Sequence, residues 1–406
     1  MHKSLLLLCV GCTPSLFAFE NAKVLPPGVR NLTVRNVMTS ISGKTDSAGV
    51  TQPLAQPLQK DLTFKKMVNN EKGVKKTLLQ AFLLHEGFRE DEAAGTYTAD
   101  MSGNVHVIAP IFATGITERW TLGMAIPFYQ SKMKASVGFR ASKRGQDFID
   151  RLQQPQHNQT ESALEAADKM NDAVGQLNKK LVENGYERLE SWSGNDIGDL
   201  TVLSKYRLIN RERFQLANMS GVVAPTGSTQ EQNALLSVPT GFGVWGLFTG
   251  FSADTYLRSD LFVNQYGKYT YEAPDSRRLR LATEDESIEV GTKATSFKLG
   301  DLYEAGTSIQ YEPHIGLLAG IGYVYTYKEK DQYQLPNNPA AKEKVEVDTD
   351  QQAHTVEYRL GYSTVPAFQE KTFAVPVSTT LEYKQVIASR NTLVKNLISV
   401  DLMLFF

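Results

Sequence analysis

The last nine residues, Ile398 to Phe406, constrain the fold more than any other part of the chain. Ile398, Val400, Leu402, Leu404 and Phe406 share one face; Ser399, Asp401, Met403 and Phe405 share the other. That is the period of two expected of an extended strand. Ending a chain on an apolar strand is costly in water, because the unpaired edge invites aggregation. In a bilayer the strand is stable if it closes a barrel, since closure removes the edge and pairs every backbone group. The aromatic Phe406 is then expected to act as the membrane-insertion signal.

The same alternation recurs upstream. Val377, Thr379, Leu381 and Tyr383 oppose Ser378, Thr380, Glu382 and Lys384, and Val356, Tyr358, Leu360 and Tyr362 oppose Thr355, Glu357 and Arg359. Leu257, Ser259, Leu261 and Val263 oppose Arg258, Asp260, Phe262 and Asn264, and Leu200, Val202 and Tyr206 oppose Asp199, Thr201, Lys205 and Arg207. A soluble sandwich alternates too, but paired opposite charges on several polar faces suit a wet barrel lumen. Asp199, Lys205, Arg207, Arg258, Asp260, Glu357, Arg359, Glu382, Lys384 and Asp401 are the expected lumen-lining charges. Solvated pore wall is their default role, and ion preference their collective one.

Strand segments fall near 28–39, 103–115, 119–139, 197–210, 213–226, 243–253, 256–273, 302–313, 314–328, 352–364, 372–388 and 394–406. This gives an all-β, transmembrane antiparallel β-barrel of about twelve strands, an even number as single-chain bacterial barrels require. Short connections at Thr117-Glu118, Asn210 to Glu212, Ala253-Asp254, Glu312-Pro313 and Pro366-Ala367 alternate with long polar loops, except for the brief one near Ser389. If the short turns are periplasmic, both chain ends are periplasmic as well, as an even strand count demands. Pro110, Pro127 and Pro376 sit inside these segments, where each removes a ladder donor and marks a bulge or a misjudged limit.

The start of the chain reads as an export signal over 1–18, with Lys3, an apolar run from Leu5 to Val10, and Ala18 at the cut. A lipoprotein box at Val10-Gly11-Cys12 is the alternative. Cys9 and Cys12 are the chain's two cysteines, so removing the leader leaves no thiol for disulfides, nucleophilic catalysis or thiolate metal sites. It also leaves 42 basic against 44 acidic residues, which gives no electrostatic case for nucleic acid. The barrel is expected over 19–406, with a helical cap or plug at 43–93 and a helical extracellular loop at 140–196. In the first, Val74, Leu78, Ala81 and His85 form the apolar face; in the second, Leu164 to Leu181 do, behind a capping box of Ser162 and Glu165.

The sequence carries no His-Glu-x-x-His, Gly-x-Ser-x-Gly or phosphate-cradling glycine loop. His157, Asn158, Thr160 and Ser162 cluster in a polar loop instead of on a strand, so no enzyme activity, cofactor or metal is expected. His106 and His314 are placed on lumen faces.

Gly194-Asn-Asp-Ile-Gly-Asp-Leu-Thr201, followed by Lys205-Tyr206-Arg207, resembles the outer-membrane barrels of the MetA-pathway of phenol degradation family. Ala224 to Ser228, the glycine-rich run Thr240 to Phe251, and Leu25 to Val29, similar to the family's first strand, extend the likeness. A more distant likeness to fatty acid and toluene channels is one of architecture. The resemblance implies a channel linked with aromatic or hydrophobic compounds and brings no catalytic residues. The helical insertions depart from the family's simpler loops.

The expected function is a porin-like outer-membrane channel for diffusion of small molecules of hydrophobic or aromatic type. The alternative is a non-transporting outer-membrane barrel acting as a surface-binding or structural protein. Expected partners are outer-membrane lipid, the barrel-assembly machinery and small apolar or aromatic solutes, with no nucleic acid. Because apolar solutes leave a polar lumen poorly, Pro127 is the candidate for a lateral opening into lipid.

Overall fold

A computed structural model describes residues 21–154, 168, 170–280, 292–335 and 338–406. The proposed leader at 1–18 and the capping box at Ser162 and Glu165 lie outside the described residues.

The period-two segments form one closed antiparallel sheet of twelve barrel strands. They are β1 (Arg30–Thr45), β2 (Ala93–Thr117), β3 (Trp120–Ala125 with Phe128–Ala141) and β4 (Trp192–Ile197 with Leu200–Arg211). Then follow β5 (Phe214–Ala224), β6 (Gly246–Arg258), β7 (Leu261–Glu272) and β8 (Leu302–Tyr311). The last four are β9 (Leu317–Lys328), β10 (Gln351–Ser363), β11 (Val377–Arg390) and β12 (Leu393–Phe405). Each pairs with its chain neighbour, and β1 also pairs β12, with Arg35 opposite Asp401, so the sheet has no open edge. Closure continues past the strand limit, where the Arg30 N–H donates to the Phe406 carbonyl at 2.8 Å and Phe406 N–H returns the bond at 3.0 Å.

Burial follows the pleat. Leu402 (57 % exposed), Leu360, Leu381, Phe251 and Leu247 face outward, while Asp401, Ser399, Glu382, Thr380, Asn264 and Gln310 face inward and are buried. An apolar exterior around a polar, charged interior is the inverse of a soluble core. It matches a barrel whose solvent is lipid. The protein is an outer-membrane β-barrel. Among the described residues no helix is long and apolar enough to cross a membrane.

Short and long connections alternate up to β10, and β1 and β12 bring both chain ends to the short-turn side, which is periplasmic in such barrels. The short turn expected at Pro366-Ala367 is instead a longer connection over 364–376 with a helix at Val365–Gln369, while β11 and β12 are joined by Asn391-Thr392 alone. A second turn was misplaced. The chain reverses at Ser259-Asp260, not at Ala253-Asp254, so Asp254 sits inside β6 and is fully buried. Leu25 to Val29 likewise precedes β1, in a turn where Gly28 takes φ +78°. Pro376 falls just before β11.

The long loops fold over the opposite end. Helices α1 (Phe64–Asn70), α2 (Gly73–His85) and α3 (Lys143–Leu152) enclose Phe64, Val68, Leu83, Phe88, Phe148 and Ile149 as a separate small core against Ala94. The expected face of α2 is the wrong one: Val74 (74 % exposed) and Leu78 point to solvent, because the Phe64–Phe88–Phe148 aromatic group recruits Leu83 instead. In the second insertion, α4 (Ala173–Glu183) buries Ala173 and Leu181, and Met170 ahead of it is buried, as that stripe predicts.

The outward face of β12 supports a stability prediction. Leu402→Arg puts a charge among the lipid-facing residues and is expected to cost about 2–4 kcal/mol. The refolding equilibrium into bilayers should show this loss, with the heat-modifiable gel shift of the residual folded fraction retained.

Candidate functional site

The interior divides into layers. At the long-loop end, Val37, Ile41, Met101, Val105, Tyr129, Met133, Leu393 and Leu397 project inward from β1, β2, β3 and β12. Three loop segments descend onto them, carrying Ala55, then Leu181, Tyr186 and Leu189, then Leu236 and Val238. This apolar plug fills one side of the lumen. Across from it a cavity of about 200 Å³ is lined by Met219, Val223, Phe242, Phe248, Leu299, Leu302, Val324 and Val386. Lys268, Glu272, Glu304, Lys328, Glu357, Lys384 and Lys395 line the same cavity.

Beneath lies a belt of paired charges. Glu357 and Lys384, and Arg359 and Glu382, are directly opposite across β10 and β11. Lys384 Nζ donates to Glu357 Oε1 at 2.6 Å and lies 3.7 Å from Glu382 Oε1, and the Ser399 hydroxyl donates to Glu382 at 3.2 Å. Arg35 grips Asp401 with two bonds of 2.7 and 2.6 Å, both residues nearly inaccessible. Lys268 sits 3.5 Å from Glu304, which also accepts from the Tyr266 hydroxyl at 3.0 Å. Charges this far from water need such partners, because an unpaired one carries an uncompensated desolvation cost.

The periplasmic mouth is covered by the chain just before β1. The Ala22 N–H donates to the buried Asp254 carboxylate at 2.9 Å, which Asn264 also contacts at 2.7 Å. Lys23 pairs with Glu312 and lies over the Phe262 ring. This segment crosses β2 at Gly115, where any Cβ would meet the Pro26 carbonyl oxygen at 2.0 Å.

The wall is interrupted at one level. β3 breaks at Ile126-Pro127 and β4 at Gly198-Asp199, so pairing jumps from Ala125–Thr201 to Phe128–Ile197. Pro127 has no N–H to donate; its carbonyl accepts from Gly198 N–H at 2.7 Å. A Cβ on Gly198 would lie 2.5 Å from the Tyr129 ring and 2.6 Å from Pro127 Cγ, so only glycine fits. The β5–β6 loop turns back into the barrel and fastens here. Asp199 accepts from the Gly227 and Phe242 N–H groups, each at 2.9 Å, and the Thr240 hydroxyl donates to the Ile197 carbonyl at 2.6 Å.

Of the charges expected in the lumen, Lys205, Arg207, Glu357, Arg359, Glu382, Lys384 and Asp401 lie on inward positions, and Asp199 is buried at the wall break. Arg258 and Asp260 are corrected. Arg258 ends β6 and Asp260 lies in the turn that follows, and the two pair with each other at 2.9 Å, the Arg258 side chain 62 % exposed. His106 is also corrected: it alternates with buried Val105 and Val107 and faces outward. Sequence reasoning missed Arg35, Lys268, Glu304 and Asp254. The first three share the inward period of their strands, and a search for charges at alternate positions would have found them. Among the described residues no three His, Cys, Asp or Glu side chains converge as a metal site would need.

No family model matches the chain, and no curated protein matches it. Among solved structures, the COG4313 outer membrane channel from Pseudomonas putida F1 aligns over 95 % of this chain and 98 % of that one. The TM-score is 0.53 at 12 % identity, a likeness of fold. The NanC porin (7 % identity, 74 % of this chain, 93 % of that one) and the CymD monoaromatic hydrocarbon channel (10 %, 94 % and 89 %) reach TM-scores of only 0.33. Similarity that distant carries no argument.

The Arg35–Asp401 pair bridges the closing seam, so removing one partner leaves a buried charge alone. Arg35→Ala is expected to destabilise the barrel by about 3–5 kcal/mol. The check is the temperature at which the folded, fast-migrating gel band disappears, which should fall well below that of the parent protein.

Proposed function

We propose that the protein is an outer-membrane channel through which small apolar or aromatic molecules diffuse. The observation that carries this reading is the cavity whose apolar side, Met219, Phe248, Val324 and Val386 among it, rests on a belt of paired charges. An apolar solute gains about 25 cal/mol per Å² of surface removed from water on entering such a cavity. The belt and the segment at Ala22 and Lys23 lie across its straight route to the periplasm. A sideways exit into lipid avoids them. The break at Pro127 supplies the weak point, and Phe242, which lines the cavity, is held beside that break by Asp199. Release of the β5–β6 loop from Asp199 would join cavity and wall. The likeness of residues 194–207 to the MetA-pathway of phenol degradation family, and the shared fold of a barrel named as a channel, support the same reading. In it the inward charges Lys205, Arg207, Glu357, Arg359, Glu382, Lys384 and Asp401 line the lumen and set what else passes.

A second reading, a non-transporting barrel acting in surface binding or structure, is favoured by the filled lumen. A conductance and solute-uptake panel on refolded protein in liposomes separates the two; retention of all solutes, apolar aromatics included, would sink the channel.

Two substitutions probe the finer proposals. Pro127→Val is expected to restore ladder pairing and slow uptake of an apolar aromatic severalfold while ion conductance stays unchanged. Unchanged uptake in a folded, inserted variant reduces the proline to a bulge. Phe406, outward at the seam, is proposed as the assembly signal. Phe406→Asp should leave protein in the periplasm, seen by fractionation, and normal surface assembly would remove that role.

A further inference from the structure

We propose that the outer wall formed by β1, β2, β3 and β12 carries a binding site for the phosphorylated headgroup of an outer-leaflet lipid. A groove of about 690 Å³ opens on this wall, separate from the lumen. Its polar lining comes from Ser40, Asn104, His106, Gln130, Lys132 and Asn396.

The level of the groove argues for a headgroup. The outward residues next to it toward the membrane are Met38, Phe128 and Ile398, each more than 40 % exposed. Ser40, Gln130 and Asn396 are the next outward positions on the same strands, about 7 Å further along at roughly 3.4 Å per residue. The groove therefore begins where the lipid-facing belt stops. A ligand with acyl chains against Met38, Phe128 and Ile398 would place its polar head among these side chains.

The charge argues for phosphate. No carboxylate lines the groove, whose outward-facing cation is Lys132. Lys134 lies one outward position beyond Lys132. Among the described residues neither the Lys132 nor the Lys134 side chain has a hydrogen bond or an ion pair. Interior and loop lysines differ: Lys268, Lys298, Lys328 and Lys384 each meet a carboxylate. Neutral donors complete the set. The Ser40 hydroxyl donates to Asn104 Oδ1 at 2.8 Å, which leaves the Asn104 amide hydrogens for a ligand. A free ammonium among amide N–H donors, with no competing carboxylate, suits a phosphate oxygen better than any neutral or cationic head.

The test uses the refolded full chain in detergent and native mass spectrometry, with three probes: bisphosphorylated lipid A, its dephosphorylated form, and inorganic phosphate. The expected result is one retained bisphosphorylated lipid per barrel, with dephosphorylated lipid and inorganic phosphate retained at least tenfold more weakly. Lys132→Glu combined with Lys134→Glu should cut retention at least tenfold, and the Lys132→Arg, Lys134→Arg pair should keep it. Both variants change exposed side chains, and an unchanged heat-modifiable gel shift verifies their fold. Equal retention by the Glu variant, or equal retention of the dephosphorylated lipid, overturns the proposal. So does displacement of the lipid by inorganic phosphate, or a lipid-free dimer covering this wall.

Discussion

The structure depends on one requirement: in hydrocarbon, no backbone N–H or C=O can be left without a partner. β1 meets it by pairing β2 on one side and β12 on the other, so strands at opposite ends of the chain become neighbours. Arg35 and Asp401 stand opposite each other on the inner face of that junction. They fix its register by charge, since a slip of one residue in either strand would turn its charge toward lipid and leave the partner alone inside.

Closure creates an interior that must itself be satisfied. The chain fills it in two ways, each matched to depth. From the middle of the barrel toward the periplasmic side, cross-strand ion pairs such as Glu357–Lys384 and Arg35–Asp401 compensate one another and leave little free charge. Toward the outside, the loops lend apolar side chains such as Leu181, Leu236 and Val238 to cover apolar inward positions. The cavity survives where those loop segments do not reach, between Phe248, Val324 and Val386.

The wall break joins these two solutions. A proline without a donor and a glycine without a Cβ let β3 and β4 part at one level. Asp199, freed from strand pairing, becomes the anchor for the loop that bounds the cavity. The same barrel presents a different chemistry outside. At the edge of its apolar belt the β1–β3 wall turns polar and cationic, which suits contact with anionic headgroups.

Much of this was legible in the sequence, because a strand's inner and outer faces are set by a local period of two. The twelve strands and the inward charges of β10, β11 and β12 all follow from it. What failed was whatever depended on partners distant in the chain. Asp254 looks like a turn residue until Asn264 and the Ala22 N–H, 232 residues away, hold it inside a strand. Val74 and Leu78 form a regular helical stripe, yet the Phe148 ring from another loop decides that Leu83 faces the core. Asp199 was readable as a lumen charge, but its grip on Gly227 and Phe242 exists only once the β5–β6 loop folds back. Local periodicity determines which face a residue takes; only closure of the barrel decides what it meets there.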